Sequence, residues 1–142
     1  MSRVIKVAVA LIFNESGQVL LTQRSDPRNL LTHNKWQFPG GGVEKNETPE
    51  SACIREIEEE TGLVIELLTN TPLKITHKGT GDKNTYDLFG YPARWVSGTI
   101  NTENDDETAD AKWMTLENID FTQCIKSTKL LIETYQTVWK KN

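Results

Sequence analysis

Cysteine, histidine and long apolar runs are scarce in this sequence, and each scarcity excludes a class of protein. The two cysteines, Cys53 and Cys124, form neither a metal-ligand pattern nor a disulfide framework, so we expect a reducing, cytoplasmic setting. The two histidines, His33 and His77, are isolated, and no serine-triad motif accompanies them. No apolar stretch approaches the roughly 18 residues that a membrane span needs. We therefore expect a soluble protein without a membrane partner.

Clustered positive charge is also lacking. The 16 Lys and Arg residues are outnumbered by 20 Asp and Glu residues, which gives a formal net charge of −4. A broad hold on nucleic-acid phosphates requires a basic surface, so a nucleic acid polymer is not the expected partner. A small phosphorylated ligand is compatible, because a bound cation reverses the local charge. The length of 142 residues fits one domain over 1–142 and leaves a homodimer open.

Strand-like and helix-like stretches are mixed along the chain. Apolar and β-branched stretches predict strands at residues 4–13, 18–24, 36–38, 63–69, 73–78 and 85–96. The first two are expected to form an antiparallel pair. One helix is predicted over 49–61, with Thr48 as its N-cap and Gly62 as its stop, and a second over 121–139. Pro92 implies an edge strand or a bulge. The mixture predicts an α/β layered domain.

The segment 38–63 joins three glycines to a helix with an acidic stripe. At about 100° per residue, the glutamates of the helix fall on one arc and its packing residues on the next: Glu56, Glu59 and Glu60 against Ile54, Ile57 and Thr61. Glutamates at this spacing repel one another by a few tenths of a kcal/mol per pair, roughly, so the stripe favours a cation. Hard oxygen ligands indicate Mg²⁺ or Mn²⁺. The alternative is an ordinary solvated helix face.

The spacing of this segment resembles the signature of the Nudix hydrolases, G-x5-E-x7-R-E-U-x-E-E-x-G-U. The matching residues are Gly41, Glu47, Arg55, Glu56, Ile57, Glu59, Glu60, Gly62 and Leu63. A strand before the glycines and an acidic loop at 101–110 leading into Trp113 extend the resemblance over nearly the whole chain. The resemblance implies an α/β/α sandwich around a mixed sheet. It also implies hydrolysis of a nucleoside diphosphate linked to another group X, which gives a nucleotide and phospho-X.

The resemblance further implies roles for individual residues. The divalent cations would be held by backbone of the turn at Gly40 and Gly41 and by the signature glutamates Glu56, Glu59 and Glu60. Arg55 belongs to the same catalytic segment, and Glu47 would brace Arg55 and the loop. The general base would be a signature glutamate or an acid of the later loop. Glu107 is the candidate in that loop, and its neighbours Glu103, Asp105 and Asp106 are the alternatives.

Substrate contacts are expected from residues outside the signature. Three cations near the metal segment are candidates for phosphate contacts: Arg24, Arg28 and Lys35. Three aromatic residues that share strand parity are candidates for stacking on a base: Phe89, Tyr91 and Trp95. Each candidate has an ordinary alternative, which is a surface charge for the cations and core packing for the aromatic rings.

The stretch WQFPGG at 36–41 resembles the MutT-like branch of the family and favours a nucleoside triphosphate, oxidised nucleotides included. ADP-ribose, dinucleoside polyphosphates and nucleotide sugars stay open, because loops outside the signature form the pockets for the base and for X. An alternative of another class is a non-catalytic Nudix-fold module that senses nucleotides. The intact glutamates of the signature argue against it.

Overall fold

The computed structural model describes residues 2–139. Within them, the strands are β1 (Val4–Phe13), β2 (Val19–Arg24), β3 (Trp36–Gln37), β4 (Gly40–Gly42), β5 (Val64–Leu67), β6 (Leu73–Lys78), β7 (Thr85–Ser97) and β8 (Thr108–Met114). The α-helices are α1 (Pro49–Thr61) and α2 (Lys126–Val138). Neither of these helices has the length and apolar character that crossing a lipid bilayer requires.

All eight strands belong to one mixed sheet. The main order is β3-β2-β1-β7-β5, while β4 also pairs with β1, β6 with β7 and β8 with β2. Strands β1 and β7 run parallel, and the other pairs are antiparallel. The predicted antiparallel pair of β1 and β2 is present only at the hairpin, where Phe13 is paired with Val19. The rest of β1 lies between β4 and β7. Strand β4, which we call the glycine strand, is therefore part of the sheet.

One helix packs on each face of the sheet, because successive residues of β1 point to opposite sides. The α1 side of the core contains Ala8, Ala10, Ile12, Ala52, Cys53 and Ile57. The α2 side contains Val9, Leu11, Leu131 and Ile132. The predicted α/β/α sandwich with a mixed sheet is therefore confirmed.

Helix α1 begins and ends where its capping residues predict. The Thr48 side chain accepts a hydrogen bond from the Ser51 backbone N–H at 3.1 Å, and Pro49 opens the first turn. Gly62 has φ of 79° and donates its N–H to the Glu58 carbonyl at 2.9 Å, which ends the helix in the left-handed conformation. These local contacts fix where the helix that carries the acidic stripe begins and ends.

Two predicted boundaries are wrong. Helix α2 begins at Lys126 rather than at residue 121, because Phe121–Gln123 forms a 3-10 turn capped by the Asp120 side chain, which accepts from the Thr122 N–H at 3.0 Å. The acidic loop ends before residue 110, because strand β8 already begins at Thr108, opposite Arg24 of β2. Pairing with β2 thus converts the end of the loop into strand.

Three further expectations need correction. The strand predicted over 63–69 is limited to Val64–Leu67, and Leu68 is exposed. Pro92 lies within the central strand β7 rather than at an edge, but it falls at the point where the partner of β7 changes from β6 to β5, where no ladder N–H is required. Ile54 was expected on the packed side of α1 and is exposed.

Candidate active site

The first candidate site, which we call the acidic cleft, opens between α1, the glycine strand β4 and the loop before β8. It is lined by Val7, Val9, Arg24, Ser25, Asp26, Gln37, Phe38, Gly40, Gly41, Gly42, Glu56, Glu60, Asp105, Glu107 and Thr108. Strand β4 is held in place by antiparallel pairing of Gly40 with Val9 and of Gly42 with Val7. The sheet therefore presents backbone directly to the acidic face of α1.

Two glycines of β4 are required by close approach. A Cβ atom on Gly40, whose φ is +149°, would collide with the Ala8 carbonyl oxygen of β1. A Cβ atom on Gly41 would collide with the carboxyl group of Glu56. Gly42, by contrast, has open space where its Cβ would lie. Strand β1 thus leaves no room for a side chain at Gly40, and a side chain at Gly41 would displace the Glu56 carboxyl group of the helix.

Glu60 is the buried member of the acidic stripe, with 5% of its surface exposed. Its Oε2 accepts a hydrogen bond from the Gly40 N–H at 3.4 Å, and its Oε1 has no partner among the described residues. Burial raises the pKa of Glu60 to about 8, and the nearby carboxylates of Asp105 and Glu56 add to the rise, while the Thr22 hydroxyl and the Gly40 N–H oppose it. A buried carboxyl oxygen without a partner suits a bound cation.

Arg55 is the centre of an ion-pair network on the neighbouring part of the helix. Its Nε lies 2.7 Å from Glu47 Oε2 and its Nη2 lies 2.9 Å from Glu47 Oε1, so this pair is bidentate. Its Nη1 contacts Glu56 Oε1 at 2.8 Å and Glu59 Oε2 at 3.1 Å. The hydrogen bond from Arg55 lowers the pKa of Glu47 to about 2, and the same contact raises the pKa of Arg55. Glu47 thus contacts Arg55, the residue that the Nudix resemblance implies it braces.

The three signature glutamates share a helix face but do not converge on one point. Glu56 is half-buried, and burial raises its pKa, whereas the Glu59 side chain is 60% exposed. Among residues 2–139, no three His, Cys, Asp or Glu side chains are grouped so that they could hold an ion as they stand. The reason is that Arg55 holds Glu56 and Glu59 while Glu60 turns to the Gly40 N–H. The donor set itself suits a hard cation, since it combines a buried oxygen without a partner with a cradle that excludes side chains.

The acidic loop contributes two residues to the cleft, Asp105 and Glu107. Asp105 accepts the Glu107 N–H at 2.9 Å and the Thr108 hydroxyl at 3.1 Å, and the Glu107 carbonyl accepts the Ser25 N–H at 2.8 Å. The negative charge of Asp105 raises the pKa values of both Glu56 and Glu60. Glu103 and Asp106 are not lining residues. Sequence reasoning ranked Asp105 below Glu107, and the structure brings both to the site.

Of the three predicted phosphate-binding cations, the structure places only Arg24 in the cleft. Its guanidinium contacts Asp26 at 3.0 Å and Gln37 at 3.2 Å, and its Nε is buried without a hydrogen-bond partner among the described residues. Lys35 instead donates from Nζ to the Thr122 carbonyl at 2.8 Å. Arg28 is exposed and lines neither the acidic cleft nor the second cavity described next. The placements of Lys35 and Arg28 therefore differ from the sequence expectation.

A second cavity, which we call the α2-side cavity, lies against helix α2. It is lined by Val7, Val9, Arg24, Asn29, Thr32, Gln37, Phe38, His77, Gly79, Thr80, Asp82, Tyr86, Leu88, Ile125, Lys126, Ser127, Thr128 and Leu131. Its lining combines apolar side chains with hydroxyl, amide and charged groups. Five lining residues are shared with the acidic cleft: Val7, Val9, Arg24, Gln37 and Phe38. The two spaces therefore adjoin, with Arg24 and Gln37 between them.

The aromatic residues predicted to stack on a base line neither the acidic cleft nor the α2-side cavity. Tyr91 is fully buried in the α1-side core, and Phe89 packs against the same core with the Lys74 ammonium over its ring. Trp95 contacts Trp113, with ring centroids 5.8 Å apart. A buried ring cannot stack on a ligand, so Tyr91 is a core residue.

The alternate positions of β7, at Tyr86 and Leu88, are the ones that face the α2-side cavity. Sequence parity shows which residues share a face but not which face is the open one. His77, to which the sequence assigned no role, stacks on Tyr86 with ring centroids 5.5 Å apart. The hairpin between β6 and β7, which brings His77 and Tyr86 together, is the only sequence signal that could have pointed to these two residues.

The amino-acid sequence matches the NUDIX domain over residues 3–134. The chain belongs to the NUDIX domain family. Members of this family generally use divalent metal ions. The Nudix resemblance seen in the segment from Gly41 to Leu63 is thereby confirmed, and the match extends from the first strand into helix α2.

Known Nudix proteins resemble this chain in sequence and in structure. The 8-oxo-dGTP diphosphatase of Haemophilus influenzae is 47% identical over 62 residues, which are 44% of this chain and 44% of that protein. The RNA pyrophosphohydrolase of Acinetobacter baylyi is 46% identical over 56 residues, which are 39% of this chain and 30% of that protein. These alignments span less than half of either relative. The MutT NUDIX hydrolase of Burkholderia pseudomallei superposes with a TM-score of 0.76 at 26% identity, over 92% of this chain and 97% of its own.

Proposed function

We propose that this protein hydrolyses a pyrophosphate bond in a nucleoside diphosphate linked to another group X, releasing a nucleotide and phospho-X. The observation that carries the proposal is the adjacency of the two cavities. An acidic cleft with a buried carboxyl oxygen opens beside a cavity with a mixed apolar and polar lining, and five residues line both. One extended molecule can therefore place a nucleoside in the α2-side cavity and its phosphates in the acidic cleft.

For the substrate we propose a nucleoside triphosphate, oxidised nucleotides included. Support comes from the name of the Haemophilus influenzae relative, an 8-oxo-dGTP diphosphatase, and from the MutT-like stretch at 36–41. The net charge of −4 argues against a polymer such as RNA, although one relative is named as an RNA pyrophosphohydrolase. The cytoplasmic location and the single domain over 1–142 stay predictions.

We propose Mg²⁺, or Mn²⁺ in its place, as the cofactor. Glu56, Glu59 and Glu60, with a backbone carbonyl of the turn at Gly40 and Gly41, are the residues proposed to hold it. A bound divalent cation neutralises phosphate charge and makes a water molecule a stronger nucleophile. Because Arg55 contacts Glu56 at 2.8 Å and Glu59 at 3.1 Å, these carboxylates must turn away from the guanidinium to become ligands.

Other residues of the cleft have proposed roles in orientation and proton transfer. Glu47 holds Arg55 through two hydrogen bonds, and Arg55 also contacts the Gly42 carbonyl at 3.3 Å, so the pair fixes β4 against α1. Arg24, which lines both cavities, is proposed to bind phosphate oxygens. Glu107 or a signature glutamate is proposed to accept the proton of the attacking water.

The test is a substrate panel with Mg²⁺ and identification of each product. The panel contains canonical and oxidised nucleoside triphosphates, ADP-ribose, a dinucleoside polyphosphate, a nucleotide sugar and a 5′-triphosphorylated RNA oligonucleotide. We expect the fastest turnover with a nucleoside triphosphate, with release of a nucleoside monophosphate and pyrophosphate. If the protein binds nucleotides but turns over none of them, it is a nucleotide sensor and the hydrolase proposal is wrong.

A further inference from the structure

Two buried oxygen atoms without hydrogen-bond partners lie on facing elements beneath the acidic cleft. They are the Oγ1 of Thr22, on β2, and the Oε1 of Glu60, on α1. Thr22 is fully buried and Glu60 is 5% exposed. The Thr22 hydroxyl is close enough to act on the Glu60 carboxyl, yet it makes no hydrogen bond within residues 2–139. Buried polar atoms without partners reduce stability and are rare, so two that face each other require an explanation.

The backbone holds Thr22 firmly in this position. It lies in a stretch of β2 that is paired on both edges, with Gln37 of β3 on one side and Ala111 of β8 on the other. Leu20, two residues earlier on the same strand, points into the α1-side core. A β-branched side chain also has few χ1 rotamers. The hydroxyl is therefore placed on the α1 side by the sheet itself.

The ordinary explanation is that threonine is common in strands and that its hydroxyl is tolerated in the core. Valine would fit the same space without burying a hydroxyl that has no partner. The other oxygen of Glu60 already accepts the Gly40 N–H at 3.4 Å. A carboxylate has lone pairs for two such donors and for a cation as well.

We propose that Thr22 is a positioning residue of the metal site. Its hydroxyl donates a hydrogen bond to Oε1 of Glu60 and holds the carboxylate in the orientation in which a divalent cation binds. Gly40 holds the same carboxylate from the strand side. This inference rests on the proposed function, because it assigns Thr22 to the cation that the hydrolysis requires. Partners of metal ligands act in this way at many metal sites.

The first measurement is Mn²⁺ affinity by calorimetry on the full chain, without nucleotide, for the wild type and for Thr22→Val. Valine keeps the shape of threonine and removes the hydroxyl. We expect Mn²⁺ to bind about tenfold more weakly to Thr22→Val. In the metal-free state the thermal midpoint of this variant is expected to be unchanged or higher, because a buried hydroxyl without a partner has been removed.

Two further variants separate the hydroxyl from the methyl group. Thr22→Ser and Thr22→Ala both lose the methyl group and differ only in the hydroxyl, so Thr22→Ser is expected to bind Mn²⁺ about as tightly as the wild type and Thr22→Ala about tenfold more weakly. Thr76→Val is the control for a strand threonine elsewhere. The Thr76 hydroxyl donates to Asp87 Oδ1 at 2.8 Å, and Thr76 lines neither the acidic cleft nor the α2-side cavity, so we expect its Mn²⁺ affinity to be unchanged.

The outcomes separate the two proposals. If the wild type binds Mn²⁺ and Thr22→Val binds it within twofold as tightly, Thr22 has no positioning role. If Thr22→Val does not fold, the ratio of affinities of Thr22→Ser and Thr22→Ala decides, and a ratio below two overturns the inference. If the wild type neither binds Mn²⁺ nor hydrolyses any compound of the panel, the proposed function fails, and the inference fails with it.

Discussion

The acidic cleft and the α2-side cavity are built in different ways. The ion pairs, glycines and glutamates of the cleft come largely from one continuous segment, residues 38–63, whose geometry is set by helix caps and by spacing along the helix. The cavity takes its walls from β1, the loop at 25–35, the hairpin around residues 77–86 and helix α2. Its shape exists only after the sheet has formed. The residues proposed to determine the type of reaction therefore come from one continuous segment, whereas those proposed to determine the choice of substrate are brought together only by tertiary structure.

The largest effect that we predict concerns the acidic cleft, whose residues come from one continuous segment. Glu59→Gln removes a negative charge from the proposed metal site, and we expect kcat to fall at least about a hundredfold, or about 2.7 kcal/mol in the barrier. Glu58→Gln is the matched control, because Glu58 is an exposed neighbour at an unrestricted position of the signature. Steady-state kinetics with Mg²⁺ measures both. A loss below about tenfold, or 1.4 kcal/mol, is too small for a metal ligand and would contradict the assignment.

The same division explains what the sequence could predict. Both ends of α1 were predicted correctly, because Thr48 and Gly62 act through contacts within one turn. The face of β7 was not, because alternation places Tyr91 and Phe89 together without showing that α1 covers them. The start of α2 was also missed, since a side-chain cap at Asp120 diverts the chain into a 3-10 turn.

In the site itself, spacing along the helix placed the three glutamates on one arc, and the Nudix resemblance implied their roles and the bracing role of Glu47. Their orientation was not, because Arg55 can contact Glu47, Glu56 and Glu59 at once only after the loop before α1 has folded back on the helix. Asp105 was named only as a neighbour of Glu107. Its effect on the pKa values of two glutamates depends on the position of β8 beside β2, which no local pattern encodes.

A second prediction compares two adjacent glycines of the cleft. In Gly41→Ala the new Cβ meets the Glu56 carboxyl group, so the proposed ligand must move, whereas Gly42→Ala places its Cβ in open space. Displacement of about 1 Å in an active site can reduce the rate about a hundredfold. We expect kcat to fall more than about tenfold in Gly41→Ala and to stay within about twofold in Gly42→Ala. Equal activity of the two variants would show that close approach of β4 to α1 is not required.

A third prediction tests the cavity. Tyr86 lines the α2-side cavity and Phe89 lies on the other face of the sheet. Loss of an aromatic contact to a base corresponds to about 1–3 kcal/mol. We expect Tyr86→Ala to raise KM at least about fivefold with kcat little changed, and Phe89→Ala to leave KM unchanged while lowering the thermal midpoint. If KM rises for Phe89→Ala and not for Tyr86→Ala, the base binds on the face of the sheet that carries Phe89, as the sequence suggested.

The last prediction concerns the stability of the metal-free protein as a function of pH. The folded protein holds the Glu60 proton up to a pKa of about 8, whereas the unfolded chain releases it near the ordinary value of 4.5. Between these values the folded state binds more protons, so this group makes the free energy of unfolding fall as pH rises, by at most about 1.4 kcal/mol per pH unit. Glu47, with a pKa of about 2, acts in the opposite sense and only below pH 4.5, outside this window.

Urea unfolding in EDTA between pH 5 and 8, for the wild type and Glu60→Gln, measures the contribution of Glu60. Glutamine resembles the protonated carboxyl and does not titrate, so the difference between the two proteins isolates this one group from all others that titrate in the same range. We expect the wild type to lose stability relative to Glu60→Gln as pH rises. Parallel curves would mean that Glu60 is already ionised in the folded state, and that its burial under the cleft is compensated before any cation binds.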